Sequence, residues 1–199
     1  MIELLKGVMS DFHPDFDMWD EPNVRTKADG TVIKGRPTRG FGDGGTFSYA
    51  GKDYSPEPWS EEMLLIKRVA EVIAYRELGD YPTFTFCLVG LYPDGEAGIP
   101  HHSDTVPTEN DIVFSASFGA PRTFHWIEYE QDIKEHSNTS DVFTDGIGVS
   151  GQYTYLLQHG DAIIFGGKSQ MSSTHAVPPV IGVGAVSYTH LTLPTIYSV

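Results

Sequence analysis

From residue 83 onward the chain is a series of short β-rich runs: TFTFCLVGLY, DIVFSASFG, PRTFHWIEY, QYTYLLQ, DAIIFGG and THAVPPVIGVG. Turn residues separate most of them, the pattern of an all-β sandwich or jelly roll. One clear helix precedes the runs. SEEMLLIKRVAEVIAYREL opens with Ser60 as N-cap and acidic residues in its first turn. Met63, Ile66, Val69, Ala70 and Ile73 then share a face at spacings of three and four, so this helix should pack on a sheet. Residues 1–12 read as a second, short helix, and the Gly-, Pro- and Asp-rich stretch 13–45 as loops and short hairpins. The fold class is mainly β with N-terminal helices around a jelly-roll core. There is no internal repeat.

At 199 residues, 40% hydrophobic and 12% aromatic, the chain fits one globular domain. No apolar run reaches the length of a membrane span, and MIELLKGVMSDF lacks the basic start and cleavage site of a signal peptide, so the expected location is the cytoplasm. Cys87 stands alone, which excludes a disulfide framework and leaves histidine and carboxylate to hold any metal. The net charge of −14 opposes indiscriminate binding of nucleic acid. One segment departs from that average. Arg25, Lys27, Lys34, Arg36, Arg39 and Lys52 face only Asp29 and Asp43, a local charge of +4 on an acidic body. A solvated basic hairpin and a phosphate-contacting element both fit that segment.

In a strand, residues i and i+2 project to one side, so His-x-Asp at a strand end aims an imidazole and a carboxylate at one point. With a histidine from another strand they make the facial arrangement of non-haem iron(II) sites. The sequence offers three such pairs: His13/Asp15, His102/Asp104 and His159/Asp161. His13 lies in an acidic loop and His159-Gly-Asp161 in a tight turn, which reads as surface for both. Only His102/Asp104 lies between two β runs, and His175 opens a later one. A buried, hydrogen-bonded histidine cluster without metal fits the spacing as well.

Four stretches then carry a resemblance: GRPTRGFGDGGTFSYAGKDYSPEPWSEEMLLI, FTFCLVGLYPDGEAGIPHHSD, DIVFSASFGAPRTF and HGDAIIFGGKSQMSSTHAVPP. In this order, over roughly residues 35 to 180, they resemble the AlkB family of iron(II)- and 2-oxoglutarate-dependent dioxygenases. The resemblance implies a double-stranded β-helix, an iron triad of His102, Asp104 and His175, and a structural or pocket-edge place for His101. It puts the tyrosine that binds the co-substrate 2-oxoglutarate at Tyr92 and the pocket wall at Leu88 and Ser115. Where the family has asparagine two residues before that tyrosine, this chain has Gly90.

The family's nucleotide-recognition lid falls on residues 35–52. Phe47 and Tyr49 are its aromatics, and Arg36 and Arg39 would serve phosphate contact. A flipped base would stack between Tyr49 and His102. The implied activity is oxidative removal of N-methyl or alkyl groups from DNA or RNA bases with iron(II), O2 and 2-oxoglutarate, as in DNA repair, by a monomer. Thr105 and Val106 stand where acidic residues often follow the metal aspartate. That departure keeps two alternatives open: a 2-oxoglutarate-dependent hydroxylase of protein, lipid or small molecule, and a non-catalytic jelly-roll binding protein.

After His175 the resemblance calls for an arginine to pair with the far carboxylate of 2-oxoglutarate, yet no Lys or Arg follows Lys168. Instead, Val186 through Thr195 reads VSYTHLTLPT, the translation of a widely used transposase library adapter, and Ile196, Tyr197, Ser198 and Val199 fit its index and end. Residues 186–199 therefore read as an artefact appended to a domain of residues 1–185, whose last strand and arginine this chain would lack.

Overall fold

The structure, a computed structural model, describes the chain apart from residues 1, 15–18, 21, 23, 27–29, 31, 35, 46, 50–51, 80–81, 94, 107–110, 140, 181–187 and 195–199. In chain order its elements begin with β1 (Ile2–Leu5), β2 (Val24–Thr26), β3 (Val32–Lys34), β4 (Thr38–Gly42), β5 (Phe47–Tyr49) and β6 (Lys52–Tyr54). Helix α1 (Glu61–Leu78) follows, then β7 (Phe86–Tyr92), β8 (Ile99–His102), β9 (Val113–Gly119), β10 (Arg122–Tyr129) and β11 (Val149–Leu157). The last elements are β12 (Ala162–Phe165), the short α2 (Ser169–Ser172), β13 (Ser173–Val177) and β14 (Tyr188–Pro194). A major antiparallel sheet runs β1-β12-β9-β14-β7-β4 and a minor one β11-β10-β13-β8, while β2/β3 and β5/β6 are separate hairpins. These two antiparallel sheets are the jelly-roll core expected from the sequence.

Strand alternation sorts the major sheet into two faces. Cys87 and Val89 of β7, Phe114, Ala116 and Phe118 of β9, and Ala162 and Ile164 of β12 pack with Met63, Ile66, Ala70 and Ala74 of α1. Their neighbours Tyr92, Val113, Ile163 and Phe165 pack instead against Phe124, Trp126, Leu157 and Val177 of the minor sheet. Trp126 and Phe165 meet edge to face across the sheets, at 5.2 Å between centroids. Burying a side chain of such size stabilises by about 2–3 kcal/mol. The space between the sheets is thus a packed core whose wall includes one residue from each alternate position.

Helix α1 is held at both ends and in its middle. The Ser60 hydroxyl accepts from the Met63 N–H at 3.2 Å, and Gly79, at φ 74°, adopts the left-handed conformation that closes the C-terminus. Buried Glu71 pairs with Lys67 at 2.7 Å and accepts from the Phe84 N–H at 3.0 Å, which ties the helix to the chain entering β7.

Two local expectations give way. Residues 2–5 form a strand, because Ile2 pairs opposite Phe165 and the edge of β12 offers unpaired backbone groups that a short, marginal helix would leave open. Ile2 and Leu4 reach the inter-sheet core and Leu5 the helix side. Asp161, expected at the surface, is 3% exposed. Its carboxylate accepts from Lys6 Nζ at 2.7 Å and from the backbone N–H groups of Gly7 and Gln158 at 2.9 and 2.8 Å. Of the other pair, His13 stacks on His159 with 4.5 Å between ring centroids, and Asp15 lies outside the described residues.

The backbone of Tyr188–Pro194 lies between β7 and β9 and pairs with both. Two rows of backbone groups face that slot, and a β-prone Tyr-Thr-Leu segment satisfies them through main-chain bonds. The adapter-like stretch therefore takes the place of a strand that the sequence reading expected this chain to lack.

Although burial opposes it, the bonds from Lys6, Gln158 and Gly7 hold the Asp161 carboxyl below its usual range. A depressed folded pKa contributes stability that is present above the unfolded value near ~4 and is lost as pH falls through the folded value. Asp161→Ala is expected to cost about 2–3 kcal/mol in chemical denaturation at pH 7. That deficit should shrink as the pH is lowered below about 4; a deficit independent of pH would remove the carboxylate from this account.

Candidate metal centre

The registers of the minor sheet assemble the centre. His175 of β13 lies directly opposite His102 of β8 on one side and Trp126 of β10 on the other. Residues opposite each other in antiparallel strands point to the same face. The His175 ring therefore sits in the inter-sheet core, 5.5 Å from Phe124, 5.9 Å from Trp126 and 5.2 Å from Phe165. The His102 and His175 rings are 4.3 Å apart. Asp104, two residues past the end of β8, reaches back so that Oδ1 is 3.6 Å from His102 Nε2 and Oδ2 is 3.5 Å from His175 Nε2.

Three donor atoms lie within 4.8 Å of one another, and no other such metal-sized cluster occurs among the described residues. Bonds of about 2.1 Å at right angles would set neighbouring donors about 3 Å apart. The two carboxylate–imidazole separations, 3.5 and 3.6 Å, exceed that by about half an ångström, and the widest separation, up to 4.8 Å, would have to close further around a divalent ion. Asp104 Oδ2 is buried without a hydrogen bond, a costly state for a carboxylate that a cation would relieve. The His102 Nδ1 lies 2.9 Å from the Pro100 carbonyl, so it carries the proton and leaves Nε2 as a lone-pair donor. His102 and Asp104 keep 24% and 16% side-chain exposure against 8% for His175, so the open side of the cluster faces outward from β8.

Burial alone would raise the Asp104 carboxyl, but the neighbouring His175, His102 and Lys134 outweigh it and hold the group well below the usual carboxylate range. It is anionic at neutral pH. Lys134 Nζ donates to the Asp104 carbonyl at 2.7 Å, and burial pushes its ammonium down to about 8 against the pull of Asp104. Gln170, from α2, holds the same loop: its Oε1 accepts from the Asp104 N–H at 2.9 Å, and its carbonyl accepts from the Ser103 hydroxyl at 2.6 Å. Neither Lys134 nor Gln170 stands out in the sequence. Lys134 sits in the charge-rich run EQDIKEH, and Gln170, although it lies within the stretch HGDAIIFGGKSQMSSTHAVPP, has no role assigned by the resemblance.

The remaining sequence candidates lie in several separate places. Leu88 and Tyr92 of β7 and Ser115 of β9 occupy the inter-sheet side of the major sheet, and all three are buried. His101 points away from the cluster, with Nδ1 3.2 Å from Thr174 Oγ1 and its ring beside His125. Phe47 and Tyr49 take alternate positions in the β5/β6 hairpin, opposite Tyr54 and Lys52. Arg39 is engaged by Glu57 at 2.7 Å and lies over Phe41, while the Arg36 guanidinium lies 5.3 Å from the centre of the Tyr92 ring.

A buried His-Asp-His cluster at the mouth of an antiparallel double sheet is the architecture of a metal-dependent oxygenase, and comparison with known proteins agrees. The sequence profile of the 2OG-Fe(II) oxygenase superfamily matches residues 12–185, so the chain belongs to that superfamily. The proteins it resembles among known relatives and solved structures include AlkB proteins. It is 26% identical over 144 residues to the protein named DNA oxidative demethylase ALKBH2 from Bos taurus, a match covering 69% of this chain and 45% of that one. The fold matches the structure of OsALKBH1 with a TM-score of 0.59 at 16% identity, over 98% of this chain and 96% of that one.

His175→Ala is expected to abolish iron(II) binding measured by anaerobic equilibrium dialysis. Gln170→Ala, which leaves all three donors in place, should weaken it about 10–100-fold. Unchanged affinity in a folded Gln170→Ala protein would show that the loop around Asp104 needs no such support.

Proposed function

We propose that this protein is an AlkB-like oxidative dealkylase that removes N-methyl or alkyl groups from nucleic-acid bases. The observation that carries the reading is the His102–Asp104–His175 cluster, open on the side of β8, in a chain whose residues 25–52 carry a local charge of +4. Likeness to a DNA demethylase over 69% of the chain supports it. His102, Asp104 and His175 would hold iron(II), and Tyr92, Leu88 and Ser115 would line the place of 2-oxoglutarate. When bound, iron with 2-oxoglutarate and O2 supplies oxidation of the N-methyl group to hydroxymethyl, leaving succinate and carbon dioxide; the product then releases formaldehyde.

The residues of this chain position and protect that chemistry. Phe124, Trp126 and Phe165 surround the His175 ring and keep water from the inner side of the metal. A base taken out of its stack would lie against His102, with Phe47 and Tyr49 on the lid side. Contact with phosphate falls to the basic residues of 25–52, and Arg39 would have to exchange Glu57 for it. In this reading residues 186–199 stand outside the native domain, in keeping with a superfamily match that ends at residue 185. Sequencing the gene in source DNA tests that point; codons for VSYTHLTLPT found there would refute it.

One observation favours a second reading, a hydroxylase of another substrate. Val106 is 1% exposed and packs in the inter-sheet core, so the second position beyond the metal aspartate presents no polar group to a base edge. Single-stranded DNA and RNA oligonucleotides carrying N-methylated bases separate the two. A dealkylase releases formaldehyde in step with succinate from at least one of them. Succinate formed with no formaldehyde from either would transfer the assignment to the second reading.

A further inference from the structure

Both core sheets end in strands whose outer backbone groups have no ladder partner, a row that natural proteins protect against pairing with other chains. Three of these edges are protected here. β1 is four residues long and carries Glu3, and β8 is four residues long and contains Pro100. β4 is covered by backbone bonds, from Asp20 N–H to the Thr38 carbonyl, from Glu57 N–H to Gly40 and from Gly42 N–H to Glu57. β11 is the exception. It runs nine residues, VSGQYTYLL, without a charged side chain or proline, and no strand among the described residues pairs with its outer side. In a chain of net charge −14, an uncharged strand is where a second acidic copy meets the least repulsion.

Register shows which groups that edge offers. Lys6 Nζ donates to the Leu156 carbonyl at 2.9 Å, so Leu156 directs its backbone away from β10, and Lys6 closes only the C-terminal end of the edge. By strand alternation Gln152 and Thr154 direct their N–H and C=O groups the same way, while Gly151, Tyr153 and Tyr155 bond to β10. An antiparallel copy centred on Tyr153 sets Gln152 opposite the second copy's Thr154, where the two exchange both backbone bonds, and symmetry repeats the pair. Moving the centre by one residue engages either Ser150, in the bulge of β11, or the Leu156 carbonyl that Lys6 occupies. The centred register also matches the side chains. Tyr153, 44% exposed, meets its own symmetry mate. Its ring leans over Gly151, which comes opposite the second copy's Tyr155, so the stacked Tyr153–Tyr155 pair of each copy continues into the other.

We propose that β11 pairs antiparallel with β11 of a second copy, joining the two four-stranded minor sheets into one, with the two-fold axis at Tyr153. A dimer takes the place of the monomer that the resemblance implies, and it uses no residue after 185. Tyr153 lies opposite Trp126, and Trp126 opposite His175. The two metal clusters therefore fall on one line across the joined sheet and on the same side of it, with five strand spacings, about 24 Å, between the two His175 residues.

Sedimentation equilibrium of the full chain across protein concentration tests the pairing. A single-strand interface is small, which puts the dissociation constant at about 10–100 µM. Raising NaCl from about 0.05 to 0.5 M should tighten it by screening the repulsion between two acidic bodies. Tyr153→Glu sets two carboxylates face to face at the axis and should weaken association at least ~10-fold. Thr154→Pro removes an outward N–H, leaves the ladder to β10 intact and should do the same, which keeps the test open if the first variant does not fold. Tyr153→Cys should form a covalent dimer on mild air oxidation, because residues facing across the axis in a non-hydrogen-bonded pair lie about 4.5 Å apart at Cα. Leu156→Cys, about 20 Å from its symmetry mate, should not. Buried Cys87 supplies no competing thiol. A chain that stays monomeric to about 500 µM at high salt overturns the proposal and leaves the edge to a strand of another protein. A dimer that Tyr153→Glu and Thr154→Pro leave unchanged, or that Tyr153→Cys does not cross-link, overturns it as well.

Discussion

A single carboxylate held in the wall of an apolar core governs the arrangement of this molecule. Asp104 lies between two imidazoles with one oxygen buried and unbonded, and an isolated buried anion of that kind is too costly to persist without compensation. Its partners come from three directions: His102 from its own strand end, His175 from the neighbouring strand and Lys134 from the long connection after β10. The pairing of β8 with β13 is therefore more than a ladder of backbone bonds. A slip of one residue would turn His175 out of the core and leave the aspartate with half its compensation.

The two faces of the major sheet divide the remaining work. The face under α1 is closed by apolar packing and by Glu71, and it carries none of the candidate metal or co-substrate residues, although Arg39, opposite Val89 and over Phe41, lies on it. The opposite face, with Leu88, Tyr92 and Ser115, looks across to Phe124, Trp126 and His175 of the minor sheet. Helix and metal cluster thus sit on opposite sides of the same strands. The helix can rigidify the platform without entering the site, which is how a small domain combines a dry core with a polar pocket. Among the described residues no helix is long and apolar enough to cross a membrane.

Much of this was legible in the sequence where periodicity reports burial. The helix face of Met63, Ile66 and Ala70 and the later β runs recur, each strand starting within three residues of its expected start, while the last run, read to residue 184, ends as a strand at Val177. The cluster was legible because His-x-Asp at a strand end and a distant histidine form a pattern that topology can complete. What stayed hidden depends on partners remote in sequence. Residues 2–5 become a strand only because β12 lies beside them, and Asp161 is buried only because Lys6, 155 residues earlier, closes over its turn. Gln170 and Lys134 act on Asp104 from 66 and 30 residues away through bonds to backbone that leave no periodic trace. Arg36 shows the same limit: its charge associates it with the basic segment, whereas the pairing of β4 with β7 sets it on Tyr92.

The central claim is that this junction of β8 and β13 holds a metal through three donors. A crystal structure of iron(II)-soaked protein, with anomalous difference density collected on both sides of the iron edge, tests it most directly. The account predicts one strong peak about 2.1 Å from His102 Nε2, His175 Nε2 and an Asp104 carboxylate oxygen. A peak bound to other side chains, or none in a crystal where these three residues keep their positions, would contradict it.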